Sequence, residues 1–119
     1  MKRVLTIGLL LWPHAAHADS LPKAMLGVWA TDPAACSEQS SEIKMTVERK
    51  AVLTYEVAQT VRRIARLKDG SLRVSGHTET DDGRAPGSLT LKLIGEDKLR
   101  VGPDQIYHRC PANAGKPRR

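Results

Sequence analysis

From position 43 onward the chain alternates apolar and polar residues in short runs, each cut by turn-forming residues. A period of two predicts strands, because successive side chains point to opposite faces of a sheet. Gly27-Val28-Trp29-Ala30 reads as a first strand, after a lead-in at 21–26 that has room for one helical turn. Ile43, Met45 and Val47 alternate with Lys44 and Thr46 to make a second strand over 41–47, and the chain turns at Lys50 or Ala51. A third run over 52–58 places Leu53, Tyr55 and Val57 against Thr54 and Glu56.

The stretch 57–67 fits two periods. Val57, Val61, Ile64 and Ala65 share a helical face, while Val61, Arg63, Ala65 and Leu67 alternate. Asp69-Gly70, a strong two-residue hairpin signal, favours the strand. A two-residue turn there sets Leu67 opposite Leu72, Ala65 opposite Val74 and Arg66 opposite Arg73. A polar loop is expected over 80–87. Leu89, Leu91 and Leu93 then face inward from the cleanest strand, 88–94. Gly95-Glu96-Asp97 and Gly102-Pro103-Asp104 are further turns, with Leu99 and Val101 between them. A last strand over 105–110 puts Ile106 and His108 opposite Tyr107 and Arg109.

These elements make an all-β protein: a small antiparallel meander barrel or strongly bent sheet of seven to eight strands. Such a sheet must close or stack to protect its edges. The Leu-rich inward positions predict a filled interior, which favours binding a partner over carrying a ligand inside.

The N-terminus has a different pattern. Lys2 and Arg3 precede the apolar run from Val4 to Trp12, Pro13 breaks it, and Ala16-His17-Ala18 supplies the small–x–small pattern of a signal-peptidase site. Residues 1–18 therefore read as a secretory signal peptide, because a run of nine residues is too short to span a bilayer. The reading predicts a periplasmic or secreted protein, with one β domain over 19–111 and a basic flexible tail over 112–119. It also leaves Trp29 as the mature chain's sole tryptophan.

That reading changes the meaning of charge and cysteine. The formal net charge is +6, but Lys2 and Arg3 belong to the leader and Lys116, Arg118 and Arg119 to the tail. Without those five, +1 remains on the domain, so the basic balance does not point to nucleic acid. The tail reads first as a solvated, disordered end, with weak contact to an anionic membrane surface or polyanions as the alternative. The two cysteines, Cys36 and Cys110, are expected to pair as a disulfide in an oxidising compartment. In the chain-entropy view, closing a loop that long is worth about 4 kcal/mol.

Gly27-x-Trp29 near the mature N-terminus, with Arg109 near the end, resembles the short signature of lipocalin-type barrels. It is also similar to the small secreted barrels that inhibit bacterial metalloproteases, and to small exported bacterial proteins of unassigned function. The resemblance implies structural roles for Trp29 and Arg109, the guanidinium stacking on the indole and donating to carbonyls at the barrel end. For an inhibitor it implies insertion of segment 19–24 into an enzyme cleft.

Three polar groupings remain. Arg62, Arg63, Arg66 and Arg73 form a candidate anion-binding cluster. His77, Glu79 and Asp81 share a spacing that puts them on one strand face, but an exposed polar strand end explains them without a metal. No nucleophile–base pair or phosphate-cradling loop stands out, and His108 reads as a barrel residue. The sequence thus predicts an exported, monomeric, non-enzymatic binding protein without cofactor or metal, taking a protein or small ligand. The alternatives are an anion- or membrane-surface-binding envelope protein using the Arg cluster, and a structural or stress-related envelope protein.

Overall fold

The computed structural model describes residues 17, 18, 20–38 and 42–112. Most of the expected leader, the end of the Ser-rich loop and nearly all of the basic C-terminal residues lie outside them. Ten strand segments form one antiparallel sheet: β1 His17–Ala18, β2 Gly27–Ala30, β3 Lys44–Glu48, β4 Ala51–Leu53, β5 Ala58–Thr60, β6 Arg63–Arg66, β7 Leu72–Thr80, β8 Gly83–Ile94, β9 Lys98–Val101 and β10 Gln105–Arg109. Two 3-10 turns, Lys23–Met25 and Pro33–Ser37, flank β2.

Neighbours in sequence are neighbours in space. β2, β3, β4 and β5 pair in order, β5 and β6 both pair with β7, and β8 to β10 follow until β10 returns to β2. β5 and β6 are two segments of one barrel position, so the result is a closed eight-stranded up-and-down barrel with β1 added outside on β6. Closure leaves few unpaired edges, the physical reason such a meander is stable in a small domain.

Alternation fills the interior. Trp29, Met45, Val47, Val52, Val61, Ile64, Leu72, Val74, Leu91 and Leu99 form one buried cluster, and Leu89, Leu93, Val101 and Tyr107 pack on it. At about 25 cal/mol per Å² of buried apolar surface, this is the dominant stabilising term. A second, smaller cluster lies on the outside of β2. There the Pro33–Ser37 turn brings Ala35 and Cys36 onto Ala30 and Cys110. Asp32 begins that turn by accepting from the Ala34 N–H at 3.0 Å. Cys36 and Cys110 are disulfide-bonded with their Cα atoms 5.4 Å apart, within ordinary disulfide geometry.

Several expected strands differ in detail. The run 52–58 is not one strand. It turns at Thr54, whose N–H and Oγ1 both reach Val57 O (2.8 and 3.1 Å). Val52 therefore faces the core and Tyr55 sits on a hairpin tip, 59% exposed. Ile43 precedes β3 and is exposed, because pairing with β2 begins at Lys44.

The hairpin after β6 is offset by one residue from expectation. Leu67 N–H bonds to Ser71 O (2.8 Å), so the loop holds three residues, Lys68 to Gly70, with Gly70 at φ +91°. Arg66 then faces Leu72, and Arg73 faces Ala65. The polar segment 80–87 is mostly strand: β7 and β8 pair from Leu72↔Leu91 out to Thr80↔Gly83, leaving only Asp81 and Asp82 as the loop. Pro86 is tolerated because this stretch of β8 has no β9 neighbour; its missing N–H lies on an open edge.

The ambiguity over 57–67 is resolved by a bulge. β5 pairs Gln59 with Thr78 and β6 pairs Arg63 with Ser75. Three residues, 60–62, thus face two on β7, and one is extra. Arg62 N–H reaches Ser75 O (2.8 Å), the residue that Arg63 opposes. The extra residue shifts the phase of the strand. Gln59 and Val61 point inward before it and Ile64 after it, while Ala65 turns out to solvent. The helix-like spacing of Val61 and Ile64 is the trace of that shift.

Candidate functional site

One end of the barrel is closed by a cation on an indole. Trp29 is fully buried, and its Nε1–H donates to Met25 O (3.1 Å) in the 3-10 turn. The Arg109 guanidinium lies 4.3 Å from the Trp29 ring centroid. Its Nε–H donates to Glu96 O (2.9 Å), and its terminal nitrogens donate to Ala24 O (2.7 Å) and Leu26 O (3.4 Å). β10 pairs Arg109 directly with Trp29, so register alone places the cation over the ring. One side chain thereby ties together the lead-in turn, the β8–β9 turn and the core. This is structural chemistry.

Toward the other end lies a satisfied polar layer. Gln59 is buried, donates from Nε2 to Thr60 O (3.1 Å) and Gly87 O (3.0 Å), and accepts from Thr78 Oγ1 (2.6 Å). Thr60 Oγ1 accepts from His77 N–H (2.8 Å). Gly76 and Gly87 face each other across β7 and β8, where a Cβ on either would collide with Thr60 or Thr78. Sequence reading missed this layer; the only signal was two glycines, Gly76 before the expected loop and Gly87 at its end.

The His77, Glu79 and Asp81 grouping is already served by a cation. Arg84 Nε lies 3.4 Å from Glu79 Oε2, and Arg84 Nη2 lies 3.4 Å from His77 Nδ1. Asp81 is in the hairpin loop. Among the described residues no three His, Cys, Asp or Glu side chains converge as a metal site.

The four arginines separate. Arg63 and Arg73 share the outer face of β6 and β7 as diagonal neighbours, whereas Arg66 has the opposite parity at the strand end and Arg62 sits in the bulge. All four are exposed, and among the described residues none forms an ion pair. The outer face gains cations that sequence reading did not group with them. Arg73 opposes Thr90, and two residues further along β8 Lys92 opposes Arg100 on β9. Lys98 follows Arg100 on the same face. Only the sheet register brings these residues, far apart in the chain, together.

Next to them is a cleft of about 200 Å³ lined by Leu67, Asp69, Ser71, Thr90, Lys92, Arg100 and Pro103, among others. Asp69 Oδ1 accepts from Ser71 N–H (2.9 Å) and Ser71 Oγ–H (2.5 Å), while Oδ2 lies 3.5 Å from Arg100 Nη2. These Ser71 hydrogen bonds, with the Lys92 and Arg100 charges adding to them, hold the Asp69 carboxyl below the usual carboxylate range. Asp69 is thus a fixed anion that offsets one of two facing cations.

The chain is therefore a closed up-and-down β-barrel with a filled interior, one disulfide and a basic outer face. No protein-family model, curated protein or solved structure matches it. The disulfide indicates an oxidising environment.

Proposed function

We propose that this protein is exported and non-enzymatic, and that it binds an anionic membrane surface through the outer face of β6 to β9. One observation carries the reading: Lys92 and Arg100 are directly opposed across β8 and β9, with Arg73 and Lys98 on the same face and Asp69 as the one carboxylate in the adjoining cleft. Like charges set opposite each other destabilise a sheet, and an anionic surface relieves that repulsion. The filled barrel supports recognition by the outside rather than carriage within.

The test is co-sedimentation of the mature protein with phosphatidylglycerol-containing vesicles and with pure phosphatidylcholine vesicles. Binding is expected only to the anionic vesicles and should weaken with salt over the Debye range. Each cation near such a surface contributes about 1 kcal/mol. Lys92→Gln with Arg100→Gln should therefore lower partitioning roughly 30-fold. Equal binding to both vesicle types, or salt-insensitive binding, overturns the reading.

The inhibitor-like alternative ranks second. It asks segment 19–24 to enter an enzyme cleft, yet Leu21 is buried and its N–H bonds to Arg49 O (2.8 Å). Insertion would give up that contact with the barrel.

A further inference from the structure

The outside edge of β6 differs from every other edge in the sheet. β4 pairs with β5 through Ala51↔Thr60, where the β3–β4 turn begins, so β6 runs on past it with no barrel neighbour on that side. The chain covers this edge with β1: Ala18 pairs with Ile64 and His17 with Ala65. The hydrogen bond from Leu67 N–H to Ser71 O sets the parity of the β6–β7 ladder. It turns the backbone groups of Arg63 and Ala65 toward β7, and those of Ile64 and Arg66 to the opposite side, where β1 meets Ile64. His17 and Ala18 are also the last two residues before the signal-peptidase pattern ends.

We propose that cleavage after Ala18 removes β1 and opens the β6 edge as a docking site for an extended acidic peptide segment of a partner, added as a new strand. The proposal rests on the export reading but not on membrane binding. The chain itself demonstrates that the edge accepts an extended segment. The chemistry of the occupant follows from the residues around it. Arg62, Arg63 and Arg66 are exposed, and among the described residues none pairs with a carboxylate. A second copy docking edge to edge would bring the same arginines together, so charge favours an acidic partner over a dimer. Main-chain bonds to Ile64 and Arg66 would supply affinity, and alternating acidic side chains the specificity.

The experiment first fixes the N-terminus of the exported protein by mass spectrometry; a start other than Asp19 overturns the premise. The full 119-residue chain and the chain starting at Asp19 are then titrated with a fluorescent synthetic peptide of alternating Glu and Val. The mature chain is expected to bind at least tenfold more tightly. In hydrogen exchange the Ile64 amide should be protected in the full chain, fast in the mature chain, and slowed again by peptide. Arg63→Gln with Arg66→Gln should weaken binding severalfold while leaving the unfolding midpoint nearly unchanged.

A peptide of identical charge, N-methylated at alternate residues, cannot form the ladder. If it binds as well as the parent, general attraction to basic residues accounts for the affinity and the strand-addition proposal fails. Equal affinity of the two chains also overturns it, as does loss of cooperative unfolding in the mature chain, which would make β1 an integral part of the barrel.

Discussion

Arg109 shows how much one side chain can do when register delivers it. Its stacking on Trp29 and its three carbonyl partners tie turns that are far apart in sequence. Replacing it by Ala removes a partly buried cation–π contact and charge-assisted hydrogen bonds, each worth about 1–2 kcal/mol. Arg109→Ala should therefore cost roughly 2–3 kcal/mol, read by urea unfolding. Arg109→Lys should recover only part of that, since an ammonium lacks the planar fork. In a chain starting at Asp19, Trp29 is the sole tryptophan, and its emission reports the same event.

Gly76 makes the complementary point: the absence of a side chain lets the Thr60 backbone and hydroxyl lie against β7. A Cβ at Gly76 meets the Thr60 backbone carbonyl, which cannot rotate away. Gly76→Ala should destabilise the barrel by about 1–3 kcal/mol in the same assay. Neither residue's role is visible locally. Gly-x-Trp and a late Arg hinted at the first, while Gly76 lay just before a stretch, 80–87, that read as loop.

At the element scale, turns were more legible than the strands between them. Gly95 and Gly102 mark three-residue turns where the sequence places them, each at positive φ. The Lys68–Gly70 loop was located correctly but was one residue longer than the dipeptide implies. That single residue decides which arginines face each other. Gly70→Ala places a side chain at φ +91° with open space around it. The expected cost is therefore backbone strain alone, about 1 kcal/mol, measurable by chemical denaturation. The bulge over 60–62 was illegible because one extra residue leaves no chemical mark, only a break in the alternation of Val61 and Ile64. Likewise, Tyr55 alternates correctly with its neighbours yet sits on a hairpin tip, since period two cannot show where a strand ends.

For the whole molecule, the Cys36–Cys110 bridge joins the outer turn beside β2 to the end of β10, where the barrel closes. It spans 74 residues of sequence, so the cross-link restrains most of the unfolded domain. Cys36→Ser with Cys110→Ser should lower stability by about 4 kcal/mol on the chain-entropy model. If the double variant unfolds within about 1 kcal/mol of the parent, the barrel's own closure carries the fold and the clasp is secondary.

The sequence by itself determined the β class, the number of strand positions, the cysteine pairing and the candidate closure residues. Each follows from short-range physics: side-chain period, turn chemistry, and the tendency of two lone cysteines to pair in an oxidising compartment. Only the tertiary structure decided which residues share a surface. The basic face joins Arg73 to Lys92, Arg100 and Lys98 through three strands, and β6 runs past the last β4 pairing, Ala51↔Thr60, so that β1 rather than β4 lies on its outer edge. Both depend on register, and register is set jointly by loop lengths, bulges and closure of the ring, none of which a single strand's pattern contains.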